Sequence, residues 1–183
     1  MASETSKTGI VIGIAVLVVV LFVCGMTALI IKLRTHVAQQ KALVALEKSN
    51  PVEYYVLHTP PARNEEDLKN EMVGTWEMAG LRIRSTGQFI FLPPHNGNFK
   101  MFTLTNWSII TYDTYSNVVY TASGRYTLQG DQYTESIEAA TGQMKQYLGA
   151  RPQFIIRLDG DKYYQMSAGK NLSPLEEMWQ RVE

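Results

Sequence analysis

The chain has 183 residues, of which 45% are apolar and 19% charged, and its formal net charge is zero. From Ser49 to the end there are 12 Lys and Arg residues against 15 Asp and Glu residues. This part therefore lacks the excess positive charge that binding to phosphates requires, and we expect no nucleic-acid partner. The single cysteine, Cys24, excludes an intrachain disulfide and a zinc site built from several cysteines.

A short tail, residues 1–8, precedes a run of residues 9–31 that contains no charged side chain. A helix rises ~1.5 Å per residue, so this run is long enough to cross a hydrocarbon core of ~30 Å. A cleaved signal peptide would have a shorter apolar region of ~7–15 residues. A lipoprotein signal would place a small residue before its cysteine, whereas Val23 precedes Cys24. We expect an uncleaved single-pass transmembrane helix in a lipid bilayer.

The charges beside the run leave its orientation open. Lys32, Arg34 and Lys41 follow it, and a strict positive-inside count would keep the C-terminal domain in the cytoplasm. Long domains cross membranes largely regardless of charge, however, and an N-terminal anchor ahead of a β-domain is usually an export device. We therefore expect the C-terminal domain to be extracytoplasmic.

A juxtamembrane stalk and a linker follow. Residues 32–50 are good helix formers without Gly or Pro, which predicts a helical stalk. Pro51 ends this pattern, so we interpret 51–70 as a linker in which Asn64 caps a short helix. His36 and His58 have no partners at metal-ligand spacing, and we expect both on the surface.

From residue 71 onward the sequence alternates between apolar and polar residues, which is typical of strands. Turn residues separate the predicted strands, including Gln129-Gly130-Asp131 and Asp159-Gly160-Asp161. A helical interruption is predicted at 139–149. A meander of short strands hides its edges by closing into a barrel. Nine segments, which would make eight or so strands, are predicted at 73–83, 99–105, 107–112, 118–122, 124–128, 133–138, 154–158, 163–167 and 175–182.

Three segments of this domain carry a resemblance. Gly74-Thr75-Trp76 resembles the G-x-W signature of the lipocalin and fatty-acid-binding superfamily. Residues 176–182, EEMWQRV, resemble the E-x-W-x-R-V ending of bacterial lipocalin-like domains, and residues 124–135 resemble their G-x-Y-x-x-x-G-D-x-Y-x-E segment. The resemblance implies a mainly β fold, an eight-stranded up-and-down antiparallel lipocalin-like barrel over 71–183. One transmembrane helix and the stalk would precede it, and the resemblance places the anchor in a bacterial inner membrane.

The resemblance also implies how one end of the barrel is closed. In the wider superfamily the Trp of the first strand closes this end, and an Arg from the last strand packs across it. Carried over, Gly74, Trp76 and Arg181 are structural residues of the closure, with a cation–π contact worth ~0.5–2 kcal/mol. The chain departs from lipocalins because it has no disulfide and has a long excursion at 84–98. This excursion would be a lid over the barrel mouth, a segment that dips towards the bilayer, or a cover for one end.

Aromatic residues on the predicted strands are the candidate ligand site. If they point inward, they line a cavity with apolar walls and a few hydroxyl groups, as small-molecule pockets do. If they do not, they are cross-strand pairs and core filling. The candidate ligand-binding residues are Trp107, Tyr112, Tyr126, Tyr133, Phe154 and Tyr164.

Charged residues offer little catalytic chemistry. Arg125 and Glu135 lie on adjacent predicted strands and would form a cross-strand ion pair if their side chains share a face. Glu176 and Glu177 face opposite sides of one strand. His95 is the only histidine of the predicted domain and would be the sole general base near neutral pH. We expect no catalytic residues, no metal and no cofactor.

These observations favour a membrane-anchored, non-catalytic module that binds a small apolar molecule or a lipid. An alternative is an accessory subunit of a membrane complex, in which the barrel contacts a membrane-protein partner or a second copy of the chain. A third is an enzyme that uses the barrel pocket, with His95 or the Arg125–Glu135 pair as its catalyst.

Overall fold

The computed structural model describes residues 4–60, 64–83, 85–168 and 175–182, with side chains from Met26 onward. Three helices precede the strands: α1 (Glu4–Ser49), α2 (Pro51–His58) and α3 (Glu65–Met72). The chain forms two compact units, Met1–Ala45 and Leu46–Glu183. The first unit is the greater part of α1.

The predicted transmembrane run, residues 9–31, falls largely outside the described side chains. Among the side chains that are described, which begin at Met26, there is no helix both long and apolar enough to cross a membrane. The predicted stalk, 32–50, is helical as far as Ser49.

The expectation of a linker at 51–70 is wrong for its first half. Pro51 does not simply end a helix; it is the first residue of α2, and the Asn50 side chain accepts a hydrogen bond from the Glu53 amide. Proline suits this position because its fixed φ is helical and its missing N–H would have no helical acceptor. In the second half Asn64 caps α3 by accepting from the Asp67 amide at 2.7 Å, as predicted.

The second unit is mainly β. A 3₁₀ helix, Gly142–Tyr147, interrupts the strands where a helical segment is predicted. The predicted strands 118–122 and 124–128 are one continuous strand, and the predicted strand 133–138 ends at Glu135. The strands are β1 (Gly74–Arg82), β2 (Phe89–Phe91), β3 (Asn98–Phe102), β4 (Asn106–Tyr112), β5 (Val118–Gln129), β6 (Gln132–Glu135), β7 (Ala139–Ala140), β8 (Gln153–Asp159), β9 (Lys162–Ser167) and β10 (Glu176–Arg181).

The sheet closes on itself. Its order is β10-β9-β8-β6-β5-β4-β3-β1, and β10 pairs antiparallel with β1 from Trp76↔Arg181 to Leu81↔Glu177. The two remaining strands, β2 and β7, extend the edges of β1 and β5. The mainly β fold with a closed antiparallel barrel of eight strands, predicted from the sequence, is confirmed.

Two local features shape the wall. The register of β1 against β10 shifts between Met78 and Gly80, so Leu81 packs into the interior although it is three residues after Met78. At Gly124, a Cβ atom would lie 1.8 Å from the carbonyl oxygen of Ser136. Glycine at this position lets the chain after β6 cross close to β5.

Hydrophobic residues form one cluster inside the barrel and one outside. The interior cluster includes Leu68 and Met72, so α3 closes the end at which β1 begins. In the outer cluster, Val52 and Val56 of α2 pack against the wall. We call the end closed by α3 the floor and the opposite end, where β1 ends and β10 begins, the mouth.

Candidate functional site

The floor is held by an indole and a guanidinium. The Trp76 Nε1 donates to the Met72 carbonyl at 2.8 Å, and the Arg181 guanidinium lies 4.2 Å from the centre of the Trp76 ring. Arg181 also donates to the carbonyls of Glu71 and Val73, at 2.5 and 2.9 Å. A positive group at the C-terminal end of α3 satisfies carbonyls that have no partner within the helix. Trp76 and Arg181 thus fix α3 to the barrel.

Gly74 is part of the same arrangement. Its φ is +139°, and a Cβ atom there would lie 2.6 Å from Nη1 of Arg181. A side chain here would be strained by the positive φ and would push the guanidinium away from the end of α3.

A layer of polar side chains crosses the barrel above the floor. The Lys100 ammonium donates to Glu135 Oε1 at 2.5 Å and to Gln165 Oε1 at 2.9 Å. Gln165 Nε2 donates in turn to Glu177 Oε2 at 3.1 Å. We call Lys100, Glu135, Gln165 and Glu177 the polar layer; all four are buried, and Lys100 is only 2% exposed.

Aromatic rings surround the ammonium. The Lys100 Nζ lies 5.3–5.9 Å from the centres of six rings. The electron-rich faces of such rings attract a cation, and the attraction is stronger where water is excluded. The rings and Glu135 together make this position favourable for a buried positive charge. They belong to Phe102, Trp107, Tyr133, Phe154, Tyr163 and Trp179.

Two tyrosines of this group serve as hydrogen-bond donors. Burial, with a further contribution from the nearby Glu135 charge, raises the pKa of the Tyr133 and Tyr163 hydroxyls well above its usual range. Both phenols are therefore neutral near pH 7. Tyr133 donates to Glu135 Oε1 at 2.9 Å, and Tyr163 donates to Gln165 Oε1 at 2.5 Å.

The strands build this layer by a repeated pattern. Residues two apart on a strand face the same side. Consequently Tyr133 and Glu135 both face inward, and the same spacing relates the pairs Lys100/Phe102, Tyr163/Gln165 and Glu177/Trp179. Lys100 and Gln165 were not predicted from the sequence, and Glu177 was recognised there only as facing away from Glu176. The signal for them was a polar residue two positions from an aromatic residue on four separate strands.

Trp107 has an additional property. Its side chain is 3% exposed within the interior cluster. Its indole N–H, although buried, has no hydrogen-bond partner among the residues that the structure describes. A buried donor of this kind favours an acceptor supplied from elsewhere, because an unsatisfied group loses the hydrogen bonds that water would offer.

The structure divides the predicted ligand-binding aromatics into two sets. Trp107, Tyr126, Tyr133 and Phe154 belong to the interior cluster. Tyr112 and Tyr164 do not, and their expected role as lining residues is wrong: Tyr112 packs edge-on against Phe99 outside the barrel, and Tyr164 stacks on Tyr55 of α2 at 4.3 Å. Neighbouring residues on a strand face opposite sides of the sheet. Because Tyr163 faces inward, Tyr164, the next residue, faces outward.

The predicted pair of Arg125 and Glu135 is also wrong. Arg125 donates to Glu138 at 2.7 Å on the exposed surface, whereas Glu135 pairs with Lys100 inside. Tyr126 and not Arg125 is opposite Glu135 in the ladder between β5 and β6. The two side chains therefore lie on opposite sides of the barrel wall.

His95 and Glu176 lie outside the barrel interior. His95 is exposed in the loop between β2 and β3, with a φ of 61°. Glu176 faces outward, where it contacts Arg82 at 2.9 Å, while Glu177 faces inward, so the two carboxylates lie on opposite sides as predicted. Among the described residues no group of three or more metal-ligating side chains occurs.

The excursion at 84–98 folds back along β1. Its strand β2 pairs with β1 from Gly80↔Phe91 to Arg82↔Phe89. The Asn96 amide donates to Glu77 Oε1 at 2.8 Å and its side chain donates to the Met78 carbonyl at 2.6 Å. The excursion thus extends the barrel wall, and residue 84 lies outside the described chain.

Half-buried apolar side chains cover the mouth. They pack against the interior cluster from the side opposite α3. Several of them, including Leu92, Met144 and Leu175, lie on connecting segments and not on the strands of the ring. The lining of the mouth consists of Leu81, Leu92, Ile109, Ala140, Met144, Ala150 and Leu175.

No family model and no curated protein matches the chain. A lipocalin-like protein from Bacteroides uniformis is similar in structure, with a TM-score of 0.48 and 14% identity over 61% of this chain and 99% of that one. An uncharacterised protein from Bacteroides eggerthii has a TM-score of 0.46 and 12% identity over 61% of this chain and 99% of that one. The assignment of a closed barrel itself rests on the pairing of β1 with β10.

Proposed function

We propose that this chain is a membrane-anchored binding module that takes a small apolar molecule or a lipid into its barrel through the mouth, without catalysis. The observation that carries the proposal is the asymmetry of the two ends. The floor is fixed by α3, Trp76 and Arg181. The mouth is lined by half-buried apolar side chains.

Access through the mouth would require the side chains of Leu92, Met144 and Leu175 to move. All three lie on connecting segments, although the Leu92 amide donates to the Ala79 carbonyl and the Leu175 carbonyl accepts from the Ser167 amide, both at 2.9 Å. Their displacement would expose the interior without breaking the ladder that closes the barrel. An apolar ligand would replace their contacts with its own, and each buried methylene group contributes about 0.8 kcal/mol.

Anchoring is proposed from the sequence of residues 9–31. This run has no charged side chain and the length of a membrane-spanning helix. We place the anchor in a bacterial inner membrane with the barrel on the extracytoplasmic side. A module so placed would meet lipids and other apolar molecules close to the membrane surface.

The test is to identify molecules that purify with the full-length protein. Organic extraction followed by mass spectrometry should find a bound apolar compound in the wild type. Ala150→Trp fills the mouth and should reduce that compound several-fold. The matched control is Leu104→Trp, because Leu104 is 54% exposed in the turn between β3 and β4 at the floor. Equal amounts in the wild type, Ala150→Trp and an empty-vector preparation would refute ligand carriage.

A second function is favoured by a separate observation. Exposed apolar side chains occur on the hairpin between β4 and β5, where Tyr115 is 85% exposed, and at the end of the 3₁₀ helix. Such residues are common in protein interfaces, so an accessory subunit that contacts a membrane protein or a second copy would use this surface. Crosslinking through Tyr115→Cys in the membrane would detect the partner. The exposed residues are Tyr115, Val118, Val119, Tyr147 and Leu148.

A further inference from the structure

The ammonium inside the barrel is already paired at the position that an anionic ligand would need, and a second buried carboxylate, Glu177, lies in the same layer. Lys100 donates to Glu135 at 2.5 Å and to Gln165 at 2.9 Å. Glu135 is 6% exposed and also accepts from Tyr133 at 2.9 Å. The ammonium is therefore already paired with a carboxylate of the protein itself.

A carboxylate ligand would face two costs at this layer. It would lose its hydration on entering the interior, and a buried charge without a partner is strongly unfavourable. It would also place a negative charge beside Glu135, where water cannot screen the repulsion. An uncharged ligand has neither cost.

One interior group still favours a polar contact with a ligand. The indole N–H of Trp107 is buried without a hydrogen-bond partner among the described residues, and the Trp107 ring lies 5.6 Å from the Lys100 Nζ. A donor beside the polar layer is matched by a hydroxyl, ether or carbonyl oxygen. It does not require a charged acceptor.

We infer that the ligand is an uncharged apolar molecule that carries a hydrogen-bond acceptor, that Trp107 donates to this acceptor, and that Glu135 makes the barrel reject carboxylates of the same shape. This inference rests on the proposed function, because it names the class of molecule that the barrel holds. Glu135 acts through Lys100: it neutralises the ammonium that would otherwise pair with an anion.

The test compares two probes that share one acyl chain, methyl decanoate and decanoate. Each displaces the neutral fluorophore 1-aminoanthracene from full-length protein in detergent at pH 7.5, where decanoate is ionised. The wild type should bind the ester at least about tenfold more tightly than the carboxylate.

Glu135→Gln should change this ratio. The substitution preserves shape and removes the carboxylate that pairs directly with Lys100, while Glu177 stays in the layer, so the preference for the ester should fall by at least about tenfold. The matched control is Glu138→Gln, which removes the same group from the exposed pair with Arg125. The control should keep the wild-type ratio.

Trp107→Phe is a second variant for the case in which Glu135→Gln does not fold. Loss of the donor should weaken the binding of the ester about three- to tenfold.

A wild type that binds decanoate as tightly as the ester would overturn the inference and leave the proposed function standing. Unchanged ratios in folded Glu135→Gln, or unchanged ester affinity in Trp107→Phe, would overturn the role of that residue. A wild type that binds neither probe nor the fluorophore, and carries no compound after purification, would overturn the proposed function and this inference together.

Discussion

Single residues in the barrel interior combine charge with nearly complete burial. Lys100 and Glu135 are 2% and 6% exposed, and an ion pair at such a depth loses about as much hydration energy as its attraction returns. Its effect is therefore on the choice of one structure and one class of ligand more than on net stability. The hydroxyls of Tyr133 and Tyr163 complete the hydrogen bonding, because each donates to an acceptor that Lys100 also uses.

These hydroxyls predict a loss of stability at alkaline pH. Burial, followed by the charge of Glu135, raises the pKa of Tyr133 and Tyr163 above the value near 10 of an unfolded chain. Above about pH 10 the unfolded state therefore binds fewer protons than the folded state, and stability falls as pH rises by up to about 1.4 kcal/mol per pH unit for each phenol. Their contribution is fully present below about pH 10. Urea unfolding between about pH 8 and pH 11 measures the slope.

Tyr133→Phe should remove one phenol's share of this slope. Tyr115→Phe is the control, since that ring is 85% exposed in a turn, and it should keep the wild-type slope. Identical slopes in Tyr133→Phe and the wild type would show that another group causes the alkaline loss.

At the residue scale the sequence predicts which aromatic residues lie on strands, but not, for all of them, which side of the barrel wall the side chain faces. Tyr163 and Tyr164 are adjacent and chemically identical, and the sequence does not indicate which of them faces outward; in the fold it is Tyr164, which stacks on Tyr55 of α2. Glu135 is recognisable as a paired carboxylate. Its partner, Lys100, cannot be recognised from the sequence, because it lies 35 residues away along the chain.

Among the elements, the hairpins follow most directly from local sequence. Gly130 and Gly160 adopt positive φ, at 62° and 57°, in the two turns that the sequence predicts. α2 was missed because Pro51 is compatible with the end of one helix and with the start of the next. The register shift after Met78 has no local signal, since it depends on how β1 meets both β10 and β2.

The attachment of α2 to the barrel predicts a difference between two helix caps. Asn50 caps α2 and also donates to Glu176 Oε2 at 2.7 Å in a buried contact, whereas Asn64 caps α3 in an exposed position. Asn64→Ala should cost about 1 kcal/mol of unfolding free energy. Asn50→Ala should cost about 2–3 kcal/mol, because it also leaves the buried Glu176 carboxylate with one partner fewer.

Urea unfolding at neutral pH measures both variants. The Asn50 side chain also donates a hydrogen bond to Glu53 at 2.9 Å. The variant Glu53→Gln therefore measures how much of the lost stability comes from Glu53 and how much from Glu176. Equal losses in Asn50→Ala and Asn64→Ala would mean that the contact with Glu176 contributes no net stability.

At the scale of the whole molecule, the closed barrel could be predicted because short strands with tight turns leave edges that must be covered. The pairing of β1 with β10 meets that need and brings residues from the two ends of the domain together, as Trp76 and Arg181 show. The polar layer could not be located in the same way. It depends on side chains from β3, β6, β9 and β10 that meet only after closure.

The proposed arrangement of the chain in the membrane predicts which sites a membrane-impermeant maleimide can reach. Cys24 is the only cysteine, so Cys24→Ser provides a background in which a single new cysteine reports its own position. Tyr115→Cys lies in an exposed turn of the barrel and should react in intact spheroplasts, because the barrel is proposed to be extracytoplasmic. Ser3→Cys, ahead of the uncharged run, should react only after lysis. Labelling of Ser3→Cys but not Tyr115→Cys in intact spheroplasts would reverse the orientation, and release of the full-length protein from membranes by alkaline carbonate would refute the anchor itself.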